Sequence, residues 1–333
     1  MTQEEQLKQQ GDIFVRNFGR LGLTASYVKG IVHPQGNTFF FKLADMCDWN
    51  EKFIAQCVDK IAIFSNLRMK FGRTEDQDAH FKVDVIFNAN EMLSLLSIFD
   101  AHKIVLGKDT EGKIVDINFE QTPHLLVAGA TGAGKSVLLK TLLVGLFYHY
   151  NFSPNVTRFK GGQFIIIDPK GNEFREFKNV VYKYVDETSQ AIQTLKDIES
   201  LMDYRYKQEE QTYQNLFVVI DELADLMLTS RFEVEQSIVR IAQKGRGCGI
   251  HLIVATQRPS VDVVSGLIKA NMPSRMILKT ASVRDSVVCL DHKGAEELLG
   301  NGDCIFKNGI IERRFKVAYP DRDLLNSITN IKR

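Results

Sequence analysis

One run of eight residues constrains the fold of this chain most strongly, and it fits the pattern G-x-x-x-x-G-K-[ST]: Gly129, Ala130, Thr131, Gly132, Ala133, Gly134, Lys135 and Ser136. It follows an apolar run, residues 124–128, typical of a buried strand, and it opens an apolar run, residues 137–147, typical of a helix. The glycines allow successive N–H groups to turn inward around a phosphate at a helix N-terminus. This order predicts a nucleotide-binding α/β domain, in which Lys135 reaches the β- and γ-phosphates and Ser136 binds Mg²⁺.

Further apolar runs support an α/β domain from residue 103 to residue 333. Besides the first strand, runs with the length of strands buried on both faces occur at residues 164–167, 216–220, 251–255 and 275–278. Helix-like segments separate these runs, which indicates a mainly parallel central sheet with crossover helices. Two inserts have a loose composition, residues 151–162 and 207–215.

The first 102 residues predict a small α+β domain without a chemical motif. Residues 39–43 follow a turn-like segment, and residues 81–87 begin with alternating apolar and polar side chains, so both are predicted strands. Between them, apolar residues at helical spacing predict a helix of roughly 15 residues laid on the short sheet. Those residues are Phe53, Val58, Ile61 and Phe64.

Composition excludes several classes of protein. The chain has 333 residues, with 42 Lys and Arg against 41 Asp and Glu, so a broad basic surface for DNA is excluded. The five cysteines are irregularly spaced and predict reduced thiols rather than a zinc site or disulfides. The N-terminus lacks the pattern of a signal peptide, and the apolar runs are too short to span a bilayer. We therefore expect a cytoplasmic protein without a membrane span of its own.

A second motif is the apolar run 217–220 followed by Asp221 and Glu222. In nucleotide hydrolases with this phosphate loop, a strand-end aspartate holds the Mg²⁺ shell, and an adjacent glutamate polarises the attacking water. We therefore assign Asp221 to Mg²⁺ and Glu222 to catalysis. An acidic pair after a strand is also common as a helix N-cap, which is the structural alternative.

A third polar group, Thr256 and Gln257, follows the predicted strand 251–255. The carboxyl ends of parallel strands carry the ligand-facing groups of such sheets, so Gln257 is predicted to sense the γ-phosphate or to orient water. A polar turn closed by Pro259 is the alternative. For Asp168, at the end of run 164–167, a structural turn and a place in the site are equally well supported.

The sequence resembles the FtsK/SpoIIIE family of DNA translocases over roughly residues 106–306. The matching blocks are residues 106–109, 123–136, 167–170, 219–227, 249–262, 266–271, 273–275, 294–300 and 302–303. An ordinary nucleotide-binding protein would share only the phosphate loop and the acidic strand end. More weakly, the strand pair within residues 29–43 and the helix after it are similar to the small domain that precedes the motor in that family.

The resemblance implies a RecA-like motor that assembles as a ring, usually of six copies, and pulls double-stranded DNA through its centre using ATP and Mg²⁺. Lys269 and Arg284 then become candidates for sequence-independent contacts with the DNA backbone, although each could be a solvated surface residue. Six copies of a few inward-facing cations would make a positive channel in a nearly neutral protein.

Hydrolysis in such rings needs a cation from the neighbouring subunit to stabilise the transferring phosphoryl group. By its position in the matching block, Arg246 is the first candidate and Arg275 is the second. A basic loop that contacts DNA, or nothing, is the alternative for Arg246.

The chain also departs from the family pattern. In the block 282–287, Val283 and Val287 stand where the family often has Lys and Arg, and Arg284 is basic instead. The lack of a membrane segment and of a C-terminal winged helix indicates a short motor from a plasmid, phage or integrative element. The alternatives are a helicase for replication or mobilisation, and a nucleotide-switched coupling or scaffold protein. Either would bring a relaxase, replication or secretion-channel partner.

Overall fold

The computed structural model describes residues 3–33, 36–44, 50–65, 68–74, 80–86, 93–109, 112–152, 162–208 and 213–329. The chain divides into two compact units, Met1–Glu91 and Met92–Arg333. This division lies earlier than the predicted boundary between residues 102 and 103, because Ser94 pairs with Tyr319 and its hydroxyl donates to Asp321. Residues 92–102 therefore belong to the larger unit.

The first unit is an antiparallel sheet with two helices. Its elements are α1 (Gln3–Arg20), β1 (Ala25–His33), β2 (Gly36–Leu43), α2 (Glu51–Ser65), β3 (Arg68–Arg73) and β4 (His80–Ile86). The strand order is β1-β2-β4-β3. The predicted strand 39–43 lies in β2, the strand 81–87 corresponds to β4 as far as Ile86, and the predicted helix is α2. Residue 87 lies outside the described residues.

Aromatic side chains build the core of this unit. Phe14 and Phe18 lie one turn apart on α1, so they project from the same face of that helix. Phe18 and Phe41 meet edge to face at 5.2 Å, and Phe41 stacks on Phe81 at 5.4 Å. Side chains of α2, including Ile54 and Val58, join the same core. Both helices therefore cover one face of the sheet.

The second unit is a larger α/β domain. Its elements are β5 (Ile104–Asp109), β6 (Ile114–Ile117), β7 (Leu125–Ala128), α3 (Lys135–Phe152), β8 (Gly162–Ile167), β9 (Lys183–Val185), α4 (Thr188–Lys207), β10 (Asn215–Ile220), α5 (Leu223–Lys244), β11 (Ile250–Thr256), α6 (Gly266–Asn271), β12 (Ser274–Leu278), α7 (Val283–Leu290), β13 (Asp303–Asn308), β14 (Ile311–Val317) and α8 (Arg322–Thr329). The ten-stranded sheet has the order β6-β5-β14-β13-β12-β7-β11-β10-β8-β9.

The sheet is parallel from β12 to β9 and antiparallel from β13 to β6. All five predicted strands are present, as β7, β8, β10, β11 and β12, which confirms a mainly parallel central sheet. The antiparallel strands were not predicted, because strands such as β14 carry charged side chains, among them Arg313 and Arg314, in place of a continuous apolar run. Much of insert 151–162 and of insert 207–215 lies outside the described residues.

Apolar packing covers both faces of the parallel strands. In β10, Phe217 and Val219 belong to the core on the α3 side, while Val218 and Ile220 belong to the core on the side of α4 and α5. This alternation is the reason why the strand reads as an unbroken apolar run. Among the described residues, no helix combines the length and the apolar character needed to cross a bilayer.

Candidate nucleotide-binding site

The glycine-rich loop 129–134 connects β7 to α3, and its backbone takes conformations that favour glycine. Gly132 and Gly134 have φ angles of 80° and 105°. A Cβ atom on Gly134 would also lie 2.6 Å from the backbone N of Gly302. The loop is therefore fixed by close packing against the turn that precedes β13.

Backbone hydrogen bonds hold the loop in place and leave some of its N–H groups free. Ala130 N donates to Lys279 O at 2.8 Å, and Gly302 N donates to Ala133 O at 2.8 Å. The N–H groups of residues 131, 132 and 134 make no hydrogen bond with any described residue. Free N–H groups at the start of a helix are an anion-binding arrangement, so the loop is shaped for phosphate.

Lys135 lies at the first position of α3 and its ammonium group is buried. Its Nζ atom is 2.5 Å from Asp221 Oδ1 and 2.6 Å from Asp221 O. The structure thus joins two predicted site residues that are far apart in the sequence. Ser136 follows on the same turn, and its hydroxyl makes no hydrogen bond within the described part of the chain.

The second oxygen of Asp221 is available. Oδ2 is buried and lacks a hydrogen-bond partner among the described residues. Burial raises the pKa of Asp221 above its ordinary value, the nearby carboxylates of Asp168 and Glu173 add to this, and Lys135 opposes it. A buried carboxylate oxygen without a partner and the hydroxyl of Ser136 are oxygen donors of the kind that a hard divalent cation prefers. These residues therefore fit Mg²⁺.

Glu222 is buried, and its carboxylate is held by groups from β11 and α5. Oε1 accepts from the Thr256 hydroxyl at 2.7 Å and from Ala224 N at 3.3 Å, and Oε2 accepts from Gln257 N at 3.0 Å. The contact with Ala224 makes Glu222 the N-cap of α5 as well, so the structural alternative and the site position coexist.

Gln257 links the end of β11 to the phosphate loop. Its Oε1 atom accepts from the Thr131 hydroxyl at 2.9 Å. The Thr256 hydroxyl, which donates to Glu222, also accepts from Arg258 N at 3.0 Å. Phosphate loop, acidic strand end and β11 are therefore one connected hydrogen-bonded group at the carboxyl ends of β7, β10 and β11.

Comparison with protein families identifies this arrangement. The family model described as the FtsK/SpoIIIE family matches residues 100–211 and 206–261. This motor region belongs to the FtsK/SpoIIIE family. The second unit is accordingly a P-loop ATPase domain of that family, which confirms the resemblance seen in the sequence.

Individual relatives agree over the motor region. The chain is 39% identical over 245 residues to the DNA translocase FtsK of Chlorobaculum tepidum, which is 65% of this chain and 30% of that protein. It is 42% identical over 225 residues to the DNA translocase FtsK of Caldanaerobacter subterraneus subsp. tengcongensis, 61% of this chain and 30% of the relative. The chain thus spans about a third of the length of these relatives.

Solved structures share the fold at lower identity. The pCW3 conjugation coupling protein TcpA, in its monomer form with ATPγS, matches 98% of this chain and 100% of its own length with a TM-score of 0.66 at 21% identity. The cytoplasmic domain of the type VII secretion ATPase EccC of Thermomonospora curvata matches 72% of this chain and 34% of its own, with a TM-score of 0.58 at 22% identity.

In this FtsK/SpoIIIE domain, Arg246 lies away from the phosphate loop of its own subunit. It precedes β11, in the turn Gly245–Cys248, whereas the last residue of β11, Thr256, pairs with Ala128 next to the loop. The length of β11, roughly 20 Å, separates the two positions. Arg246 is exposed and its side chain has no hydrogen bond or ion pair with the described residues. Arg246 thus lies at the amino edge of the sheet, opposite the nucleotide.

Arg275 is buried and makes hydrogen bonds within its own domain. Its guanidinium is buried and donates to Asp291 Oδ2 at 2.7 Å and to Cys289 O at 2.8 Å. Lys269 reaches the same aspartate, with Nζ 3.0 Å from Asp291 Oδ1. Lys307 Nζ lies 3.9 Å from the same carboxylate, so three cations share Asp291. Two of them are a predicted DNA contact, Lys269, and the second candidate for the arginine supplied to a neighbouring subunit, Arg275.

The two predicted DNA contacts lie at opposite edges of the sheet. Lys269, on α6, precedes β12, and Arg284, in the first turn of α7, follows it. Arg284 is exposed and makes no ion pair within the described residues, beside the exposed apolar side chains of Val283 and Val287.

Asp168 organises a turn. Its carboxylate accepts from Gly171 N, Glu173 N and Phe174 N, each at 3.1 Å, and from the Tyr184 hydroxyl at 2.8 Å. The structure therefore shows the predicted turn, and the same carboxylate lies near enough to Asp221 to raise the pKa of that residue.

Two functional contacts were missed by sequence reasoning. The sequence marked Thr256 only as polar, without its bond to Glu222, and it did not connect Gly302 with the phosphate loop. The contact of Gly302 with the phosphate loop could have been suspected only from the glycine-rich turn at residues 300–303.

Proposed function

We propose that this chain is an ATP-driven translocase of double-stranded DNA that works as a ring of identical subunits, six by the family resemblance. The observation that carries the proposal is the connected group at the phosphate loop, in which Lys135 contacts Asp221 and Glu222 is held by Thr256 and Gln257. The identity of 39% to a DNA translocase over the motor region supports DNA as the substrate.

ATP would bind with its phosphates against the free N–H groups of the loop. Lys135 is the cation nearest to that position, and binding requires it to exchange part of its contact with Asp221 for the phosphates. Ser136 and Asp221 would hold Mg²⁺. When bound, the ion neutralises charge on the phosphate oxygens.

Hydrolysis needs a base whose position does not change during the reaction. Glu222 fits this role, because its Oε1 atom is fixed by Thr256 and Ala224, while Oε2 has only the shared Gln257 N–H. The remaining capacity of Oε2 allows it to accept a proton from water. Gln257 would link the phosphate loop to this carboxylate, because its side chain accepts from the Thr131 hydroxyl and its backbone N–H donates to Glu222.

A neighbouring subunit would complete the site. Arg246 is exposed at the amino edge of the sheet, so it can reach a nucleotide only in another molecule. A guanidinium supplied in this way stabilises charge in the transition state. Hydrolysis would then depend on ring assembly.

DNA contact would use Lys269 and Arg284 along β12. Lys269 is paired with Asp291, so a DNA phosphate must compete with that carboxylate for the ammonium group. Such contacts carry no sequence information, which suits a motor that moves along any duplex.

ATP turnover by the purified chain with and without long duplex DNA tests the proposal. We expect DNA to stimulate turnover, and we expect ATP-dependent displacement of a triplex-forming strand from duplex DNA. Turnover indifferent to DNA in a protein that forms rings would contradict it. Unwinding of a forked substrate without triplex displacement would indicate a helicase, and partner binding without turnover would indicate a coupling protein.

A further inference from the structure

The sheet of the first unit has a second face, opposite to the one that α1 and α2 cover. Strand register places its side chains in rows across the sheet. Lys29 on β1 pairs with Phe40 on β2, and Phe40 pairs with Lys82 on β4. Paired residues of antiparallel strands project to the same side, so these three share the second face.

Neighbouring rows add two more lysines. Lys42 lies two residues beyond Phe40 on β2, and therefore on the same face. In the row on the other side of Phe40, Thr38 pairs with Asp84, and Asp84 pairs with Lys70. Lys29, Lys42 and Lys70 are exposed, and Lys82 is half-buried.

Local packing holds two of these lysines across the sheet. The Lys29 ammonium lies 4.9 Å from the centroid of the Phe40 ring, which is a cation–π contact. The aliphatic part of Lys82 lies over Gly72, where a Cβ atom would come within 2.7 Å of its Cε. Neither contact involves an opposite charge: the Lys29 ammonium faces an aromatic ring, and the Lys82 stem lies against a glycine.

Negative charge on this face is small. Asp84 is the single acidic residue in the described rows, and its Oδ1 atom already accepts from the Thr38 hydroxyl at 2.6 Å. None of the four lysines forms an ion pair with a described residue. Among the described residues of this unit, the other acidic side chains lie on the helices: Glu4, Glu5, Asp12, Glu51 and Asp59. A nearly neutral chain therefore has a sheet face with four lysines against one carboxylate.

We propose that this sheet face, defined by Lys29, Lys42, Lys70 and Lys82, binds the phosphate backbone of duplex DNA as a contact separate from the motor domain. Uncompensated cations on a flat surface attract a polyanion, and counterion release gives the binding free energy. Its apolar part consists of Ile31, which pairs with Thr38 and is exposed, and the Phe40 ring, which is half-buried beneath Lys29. Four lysines outweigh this small apolar area, which favours DNA over a lipid surface. The proposal rests on the proposed function only in taking DNA as the ligand.

A matched pair of triple variants of the full chain tests the proposal. The sheet-face variant is Lys29→Gln/Lys42→Gln/Lys82→Gln, and the control Lys8→Gln/Arg16→Gln/Lys52→Gln removes the same charge from exposed positions on α1 and α2. Fluorescence anisotropy measures the Kd of a labelled duplex over a series of salt concentrations. We expect the sheet-face variant to raise Kd about tenfold at low salt and to reduce the slope of log K against log salt by about 2 to 3, because each lost phosphate contact removes about 0.9.

Further outcomes decide between the explanations. The variant Lys29→Arg/Lys42→Arg/Lys82→Arg keeps the charge, and restored affinity supports a contact through charge rather than an effect on folding. Equal losses in the sheet-face and control variants would overturn the proposal, as would loss of binding to phosphatidylglycerol vesicles with unchanged DNA binding. If DNA stimulates ATP hydrolysis by the wild type but the sheet-face variant binds duplex DNA with unchanged affinity, the sheet-face proposal is refuted and the proposed function is not. A wild type without any duplex binding would refute the proposed function too.

Discussion

The two edges of the ten-stranded sheet are built differently. At the carboxyl edge, Lys135, Asp221 and Glu222 are buried and contact one another or shared neighbours within one subunit. At the amino edge, Arg246 is exposed and unpaired among the described residues, while Lys269 shares Asp291 with Arg275. One edge thus holds the groups proposed for ATP hydrolysis within one subunit, and the other carries the cations that we propose to act on a second molecule. This difference predicts that substitutions at the two edges have separable effects.

The largest effect is expected at the amino edge. Arg246→Ala should lower kcat about 1000-fold in the assembled protein, because the transition-state charge loses its cation. Steady-state ATPase rates measure this. Mixing with Lys135→Ala subunits, which keep Arg246 but cannot turn over ATP, should restore activity at mixed interfaces. Full activity of Arg246→Ala alone would remove Arg246 from the mechanism.

At the carboxyl edge, Glu222→Gln should lower kcat about 100-fold or more while ATP still binds, since the phosphate loop and Asp221 remain. Binding of a fluorescent ATP analogue and single-turnover hydrolysis separate the two steps. Mixing with intact subunits should not restore hydrolysis at the site of a Glu222→Gln subunit, because a neighbour can supply Arg246 but cannot supply Glu222. A large loss of nucleotide affinity would contradict the assignment.

Acid should destabilise the amino edge through two buried histidines. His124 Nδ1 accepts from Leu252 N, and His251 Nδ1 donates to Pro123 O, both at 3.1 Å. Burial lowers the pKa of His124 to about 3 and that of His251 to about 4. In the unfolded chain these two histidines bind protons below about pH 6.5, whereas in the native chain they stay neutral until a lower pH. Stability should therefore fall as the pH drops from about 6.5 towards 4, by about 1.4 kcal/mol per pH unit for each histidine.

Urea unfolding followed by circular dichroism between pH 7.5 and pH 5 measures this slope, and His251→Asn should reduce it. His292→Gln is the control with the opposite sign, because the carbonyl of Lys293 and the carboxylate of Glu312 raise the pKa of His292. Its stabilising contribution is present at acid pH and is lost as the pH rises. A pH slope unchanged by His251→Asn would contradict the prediction.

The smallest effect is expected for Thr256→Val. The substitution removes one hydrogen bond from the Glu222 carboxylate, so kcat should fall about fivefold with KM unchanged. Thr256→Ser keeps the hydroxyl and should restore most of the rate. A rise in KM alone would show that Thr256 acts on nucleotide binding instead.

Sequence patterns predicted the parts of the fold whose cause is local. The strands β7, β8, β10, β11 and β12 are apolar runs because both of their faces are buried, and the phosphate loop is marked by its glycines. β13 and β14 were not predicted, because their charged residues form ion pairs with residues far away in the sequence, such as Arg313 with Asp109 at 2.6 Å. That pairing has no signal in the local sequence.

The sequence by itself determined the family, the order of strand, loop and helix, and the chemical groups available for ATP, because these depend on short runs of residues. Only the tertiary structure decided which groups meet. It joined Lys135 to Asp221 and Thr256 to Glu222, placed Gly302 against Gly134, and paired Lys269 with Asp291. It also put Arg246 at the edge away from the phosphate loop. These relations arise from contacts between distant segments, since burial and strand register are properties of the whole sheet.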